Sequence, residues 1–308
     1  MSQKLHLKLQ EALMKITGLL ALKRSLAYQH EHLIGMERFN FAVSRGMLAQ
    51  SLRRIDPTNP STWEFAAFSQ NGEDGIVDYC LQHLLKPERT FVEIGASNAL
   101  ENNSSYLAFV KKYCGLMVDG NTELIRFAKS HFQGFNHGVT YHAQMVEPDN
   151  IDKILELSTS VTPDFFSLDI DGIDFYVAKA LYEQGFRPSL VCVEYNSLFG
   201  NERSITIPYQ KAFTRHSYHS SKQVYGVSLQ GWHHFWSSRG YQFVTVDLNG
   251  VNSFYARIED FDQTFLNSIK PIDFKSNFTL KKYHKSSLLS ELNDIEFHEI
   301  HSSNTIDK

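Results

Sequence analysis

Between Thr90 and Asn196 five short apolar runs alternate with segments of helical pattern, and this alternation limits the fold more than any other feature of the chain. Strands joined through helices return to a sheet as parallel neighbours, so repeated β-α units imply a mainly parallel sheet covered by helices. The strands are read at Thr90–Gly95, Gly115–Asp119, Val139–Val146, Asp164–Asp171 and Ser189–Asn196. Helices are read at Leu100–Lys112, at Thr122–His131 with Thr122 as N-cap, at Asp149–Ser158, and at Ile173–Gln184, stopped by Gly185 and Pro188. A helix over Val227–Arg239 then leads to two strands, Tyr241–Asp247 and Asn252–Arg257, around the hairpin signal Asn249-Gly250. The expected fold class is α/β: one Rossmann-like domain with additions at both ends.

Those additions set the expected divisions: a helical extension over 1–60, the main domain over 61–258 and an appendix over 259–308. Residues 1 to about 55 carry a leucine-rich helical stripe (Leu5, Leu7, Leu9, Leu13, Ile16, Leu19, Leu20, Leu22) that Asp56-Pro57-Thr58-Asn59-Pro60 breaks. This helix is either an arm for homo-oligomerisation or a lid; sequence does not choose. Ile76–Leu85 reads as a further helix, residues 197–225 as a long polar loop, and the appendix as polar, His- and Ser-rich with a weak helical pattern.

Net charge of −4 gives no basic field, so nucleic acid is not an expected partner. No apolar run has the length of a membrane span, and Met1–Leu20 mixes Lys, His, Gln and Glu into its apolar residues, unlike a signal peptide. Cys80, Cys114 and Cys192 lie far apart inside apolar segments and read as buried free thiols. A reducing, cytoplasmic setting is expected.

Chemistry concentrates where strands end. Asp164–Asp174 runs apolar residues into Asp169, Asp171 and Asp174, and the next strand ends in Glu194. If the strand continued through them, Asp169 and Asp171 would share one face, as alternate residues do. These carboxylates suit either a hard divalent cation or the positioning of a substrate hydroxyl, while Asp174 suits the start of the next helix. At the first strand, Gly95-Ala96-Ser97-Asn98-Ala99 lets backbone approach a ligand, with Ser97 and Ala99 where a full glycine loop has glycine. Asp119 ends the second strand, where a carboxylate can accept both hydroxyls of a ribose. Ser69-Gln70-Asn71-Gly72-Glu73-Asp74-Gly75 carries more polar groups than helix capping needs and suits a loop over a cofactor. Of 14 histidines, His216 and His219 follow Glu194 in the long loop and suit a general base. His233 and His234 are expected on a helix, at least one facing solvent.

The runs FSQNGEDGI, FVEIGASNALENNSSYLAF, SLDIDGIDFYVAKAL, VCVEYNSLFGNERSITIPY, YGVSL and GYQFVTVDLNGVNSFYAR resemble the FkbM-like branch of S-adenosylmethionine (SAM)-dependent methyltransferases over about residues 65–258. Members often lie in bacterial surface-polysaccharide and secondary-metabolite pathways. The resemblance implies a seven-stranded sheet of order 3-2-1-4-5-7-6, mostly parallel with an antiparallel last strand. It implies a SAM cofactor and O-methylation of a glycan, a sugar or a related small hydroxylated acceptor. The acidic strand ends also look like those of macrocin-type sugar O-methyltransferases, which use magnesium, so Mg²⁺ or Mn²⁺ at Asp169, Asp171 and Glu194 is an expectation. The expected cofactor-binding residues are Gln70, Asn71, Glu73, Asp74, Glu93, Gly95, Ala96, Ser97, Asn102, Asp119, Gly120, Asn121, Gln144 and Asp169. The expected catalytic residues are Asp169, Asp171, Glu194 and His216. Two rival readings are a metal-dependent glycosyltransferase built on Asp169-Ile170-Asp171, and a non-catalytic SAM-binding module.

Overall fold

The computed structural model describes residues 2–277 and 295–301, without the side chains of residues 2–16, 24, 27 and 28. The side chains of the leucine stripe as far as Ile16 are therefore not described, and much of the appendix's helical pattern lies outside the described residues. The chain divides into two compact units, Met1–Phe41 and Ala42–Lys308. The first is made by the helix α1, Ser2–Leu52, as far as Phe41. Among the described residues no helix is long and apolar enough to cross a membrane.

The second unit holds strands β1 (Thr90–Ile94), β2 (Cys114–Asp119), β3 (Val139–Ala143), β4 (Phe165–Leu168), β5 (Leu190–Glu194), β6 (Ile205–Thr206), β7 (Tyr241–Val246), β8 (Asn252–Arg257) and β9 (His298–Glu299). Its further helices are α2 (Glu73–Leu81), α3 (Thr122–Phe132), α4 (Asp152–Leu157), α5 (Asp174–Glu183), α6 (Arg215–Tyr218), α7 (Leu229–Ser237) and α8 (Gln263–Ser268). Seven strands form one sheet in the order β3-β2-β1-β4-β5-β8-β7, while β6 and β9 make a small separate pair. Counting only the strands of the large sheet, this is the expected order 3-2-1-4-5-7-6. β1 to β5 run parallel, and β8 runs antiparallel to both β5 and β7. The order reverses between β1 and β4, which opens a crevice above their C-terminal ends.

Burial explains the strand sequences. Helices cover the parallel strands on both faces, so β1, β2, β4 and β5 read as nearly continuous apolar runs. Val92, Ile94, Leu116, Val118, Phe166, Leu168, Val191 and Val193 belong to one core with Phe175 and Leu181 of α5 and Trp232, Phe235 and Trp236 of α7.

Several expected elements shift. The helix over Leu100–Lys112 shrinks to one π-helical turn, Tyr106–Val110. The residues before it use their groups otherwise: Glu93 accepts the N–H groups of Asn103 and Ser104, and Asn102 bonds the Ala96 carbonyl. Side chains here compete with the helical ladder. Asn121, not Thr122, caps α3, accepting from Glu123 and Leu124. α2 starts at Glu73 rather than Ile76, and α4 is shorter than expected at both ends. β3 stops at Ala143 and β4 at Leu168, so Asp169 and Asp171 lie beyond the strand and pleating does not align them. The long loop is less irregular than its sequence, carrying β6 and α6. Cys80 and Cys192 are buried free thiols, but Cys114, at the start of β2, is exposed. His233 and His234 are both half-buried; the first meets the Tyr255 hydroxyl at 2.9 Å and the second the Ser204 hydroxyl at 2.7 Å.

Candidate active site

The β1 turn is built around a crossing of two backbones. Gly95 has φ +95°, and a Cβ there would stand 1.7 Å from the Asp169 carbonyl oxygen, so no other residue fits. The N–H groups of Gly95 and Ala96 both donate to the Val118 carbonyl, at 2.8 and 2.9 Å. Ser97 and Ala99 take φ +51° and +61°, the left-handed backbone that glycine would adopt without strain. The turn therefore keeps the glycine-loop shape with two residues that resist it. Asp119 helps to hold it: one oxygen accepts from Ser97 N–H at 2.9 Å, the other from Asn121 N–H at 2.7 Å. Each carboxylate oxygen retains a further lone pair, so Asp119 can still receive two hydroxyl donors.

Above this turn lies a cavity of about 420 Å³. Its lining includes Gly95, Ser97, Asp119, Gly120, Asn121 and Gln144, the apolar Met145, Val146 and Phe213, and Gln70, Glu147, Asp169 and Asp171. A second cavity of about 560 Å³ opens over β5, lined among others by Asn71, Glu194, Asn196, Arg215, Gln223, Tyr225 and Asn249. Gln70, Asp169 and Asp171 line both.

Asp169, Asp171 and Glu194 meet at this junction. One carboxylate oxygen from each lies within 4.8 Å of the others. Asp169 and Glu194 stand close enough for their charges to oppose one another, which favours the protonated form of each. Burial pushes the pKa of both up, and the neighbouring carboxylates add to the shift. Asp171 is raised too, mainly by burial, against the opposing charges of Arg215 and His216. It sits at φ +53°, uncommon for a non-glycine residue, and its carboxylate pairs with the Arg215 guanidinium. The Tyr225 hydroxyl donates to Glu194 at 3.3 Å, and the Arg215 guanidinium lies 5.1 Å from the Tyr225 ring centre. His216 is exposed beside Asp171, whereas His219 spends Nδ1 on Ser221 within its own loop.

Other expected site residues build walls rather than line the cavities. Asp74 accepts the N–H groups of Ala67, Phe68 and Ser69 through one oxygen, at 2.7–2.8 Å. Glu73 accepts from Asn71 N–H at 2.7 Å and from Asn252 at 2.8 Å. Glu93 anchors the segment after the β1 turn, and Asn102 ties that segment to Ala96, which is fully buried. Asn71 lines the second cavity, not the first. Asp174 opens α5, accepting from Ile170 and Gly172 at 2.9 Å each, as its position suggested. Sequence reasoning did not single out Phe213, Glu147 or Tyr225. Tyr225 stands at the head of the quoted YGVSL run, a usable signal; Phe213 had none.

No family model matches this chain, and no curated protein matches it. Solved structures of similar outline include an O-methyltransferase of Streptomyces achromogenes, TomG, described as involved in tomaymycin synthesis and in complex with SAM: 15% identity over 71% of this chain and 96% of that one, TM-score 0.41. A precorrin-6y C5,15-methyltransferase of Geobacter metallireducens has 15% identity over 59% and 86%, TM-score 0.36. TrmK of M. capricolum, in complex with S-adenosylhomocysteine (SAH), has 12% identity over 71% and 87%, TM-score 0.34. The sheet order is the one expected for the class I methyltransferase fold.

Proposed function

We propose that this protein is a SAM-dependent O-methyltransferase of the FkbM-like kind, acting on a hydroxyl of a sugar, a glycan or a related small molecule, in bacterial surface-polysaccharide synthesis. The observation that carries the reading is the junction: a cavity suited to an adenosine and a polar cavity beyond it share Asp169 and Asp171. The residues present fit the cofactor. Asp119 has lone pairs left for ribose hydroxyls, Met145, Val146 and Phe213 offer an apolar wall to a purine, and Gly95 admits close approach of the backbone.

SAM, when bound, supplies a methyl group on a positively charged sulfur. The chain must hold the acceptor oxygen in line with it and take the hydroxyl proton. Asp169 and Glu194, whose proton affinity burial and their mutual charge raise, accept that proton. Tyr225 holds Glu194 in place, and His216 passes the proton to solvent. The amide-rich second cavity, with Asn71, Asn196, Gln223 and Asn249, suits a polyhydroxylated acceptor. Asp169, Asp171 and Glu194 would also hold Mg²⁺ or Mn²⁺, which would lower the pKa of the acceptor hydroxyl. A cation there competes with Arg215 for Asp171.

Titration calorimetry with SAH and with a uridine diphosphate sugar tests the reading. SAH should bind and the nucleotide sugar should not. The reverse result would move the protein to the glycosyltransferases. SAH binding without methyl transfer to any of a panel of sugar acceptors would make it a binding module.

A further inference from the structure

The segment after β6, part of the long polar loop of the sequence, spans both cavities. Its start is tied to the body through Ile207 N–H on the Gly226 carbonyl, and its end through the turn that Thr214 begins. Between them, among the described residues, 208–213 make no backbone-to-backbone hydrogen bond. Side chains hold this stretch down instead. Lys211 pairs with Asp149 at 2.7 Å on the surface. Ala212, at φ +53°, donates its N–H to Glu147 at 2.6 Å, and Glu147 is itself buried and lines the first cavity. Phe213 is buried and lines that cavity too. Its seat is Gly172, where a Cβ would stand 2.7 Å from the Phe213 ring. Two residues on, Arg215 lines the second cavity and grips Asp171.

We propose that Lys211–Arg215 is a strap that completes both halves of the site: Phe213 is a cofactor-contacting wall, and Arg215 is a positioning residue that holds Asp171 for the acceptor. The inference rests on the proposed use of SAM. The segment has no backbone ladder of its own and is held mainly by the buried Phe213, so contacts made to Phe213 by a ligand shift how often it is shut. Closing Phe213 on the cofactor brings Arg215 onto Asp171, because only Thr214 separates them. Cofactor binding thereby assembles the acceptor end.

Lys211 and Arg215 make the strap its own reporter, since trypsin cuts after both. Saturating SAH should slow cleavage at these two bonds by about tenfold, with cleavage elsewhere little changed. Phe213→Ala should raise the SAH dissociation constant roughly tenfold or more and abolish the protection. Asp149→Asn, a surface change that leaves the core intact, should weaken SAH binding by up to about fivefold and partly restore cleavage. SAH binding with unchanged cleavage at both bonds, or Phe213→Ala binding SAH like the wild type, would overturn the strap while leaving the function reading standing. Absence of SAH binding by the wild type would overturn both.

Discussion

At the rim of β1 and β2, carboxylates are paired with backbone N–H groups; at the rim of β4 and β5, they face one another. Asp119 accepts from Ser97 and Asn121, and Glu93 from Asn103 and Ser104. Asp169 and Glu194 have each other, Asp171 and one tyrosine. The contrast is sharpest within one turn. Asp169 and Asp174 are five residues apart, and burial raises the pKa of both. Asp174 offsets its desolvation with two backbone donors and starts a helix, while Asp169 meets further negative charge. A buried acid with backbone partners fixes a loop. A buried acid with acids for neighbours keeps a strong interaction in reserve for a cation, a proton or a substrate.

The largest test of this contrast is Asp171→Asn. It keeps the shape of the junction but removes charge, and turnover on the true acceptor should fall about 10²–10³-fold while SAH affinity falls by no more than about fivefold, the loss expected for one ion pair of the strap. Equal losses in both would erase the division between the two rims. If a metal takes part, EDTA should mimic the substitution and Mg²⁺ or Mn²⁺ should reverse it.

Asp119→Ala probes the other rim. Loss of charge-assisted hydrogen bonds to the ribose should cost roughly 1.5–3 kcal/mol, a 10- to 150-fold weaker SAH complex by calorimetry. Unchanged affinity would remove Asp119 from the site.

Acidity offers a third, milder test at a neighbouring place. Glu64 accepts one backbone N–H, from Leu248, and burial pushes it from 4.5 to about 8. With the folded pKa raised, the folded state binds more protons than the unfolded one between those values. The contribution is present below about pH 4.5 and is lost as pH rises through about 8. Melting temperature should therefore decline from acid to mildly alkaline pH, and Glu64→Gln should flatten the decline. A parallel curve in the variant would show that one backbone donor suffices to settle this acid.

The smallest effect is expected from Ser97→Gly. Relief of a left-handed serine is worth about 1–2 kcal/mol, and glycine's greater freedom when unfolded takes back roughly 0.5–1. A net gain of up to about 1.5 kcal/mol in denaturant unfolding is expected. A loss of stability would mean that the serine side chain has a role beyond its backbone.

Much of this was legible in the chain. The alternation from Thr90 onward and the Asn249-Gly250 hairpin pointed to a mostly parallel sheet followed by an antiparallel hairpin, and the family resemblance implied its seven strands and their order. Apolar runs closed by Asp119, Asp169 and Glu194 marked the rim, because burial explains the runs and not the acids. Helix starts were read less well, since Asn121 and Thr122 compete for one cap and Glu93 draws off the backbone donors of Asn103 and Ser104 from ten residues away. Glu73, Asp74 and Asn102 hold the loops beside the cavities through hydrogen bonds that sequence could not show, because a polar cluster near a ligand loop looks alike whether it faces the ligand or props up the loop.

By itself the sequence determined what depends on near neighbours and on period: strand and helix order, the need for glycine in a turn, and the acids placed where strands stop. Only the tertiary structure decided which partners those acids have. It joined Asp171 to Arg215 and Glu194 to Tyr225, and it laid Phe213 across Gly172. The physical reason is distance along the chain. A carboxylate's charge and its hydrogen bonds act over a few ångströms of space, and residues 31 to 44 positions away come within that reach only after the sheet has formed.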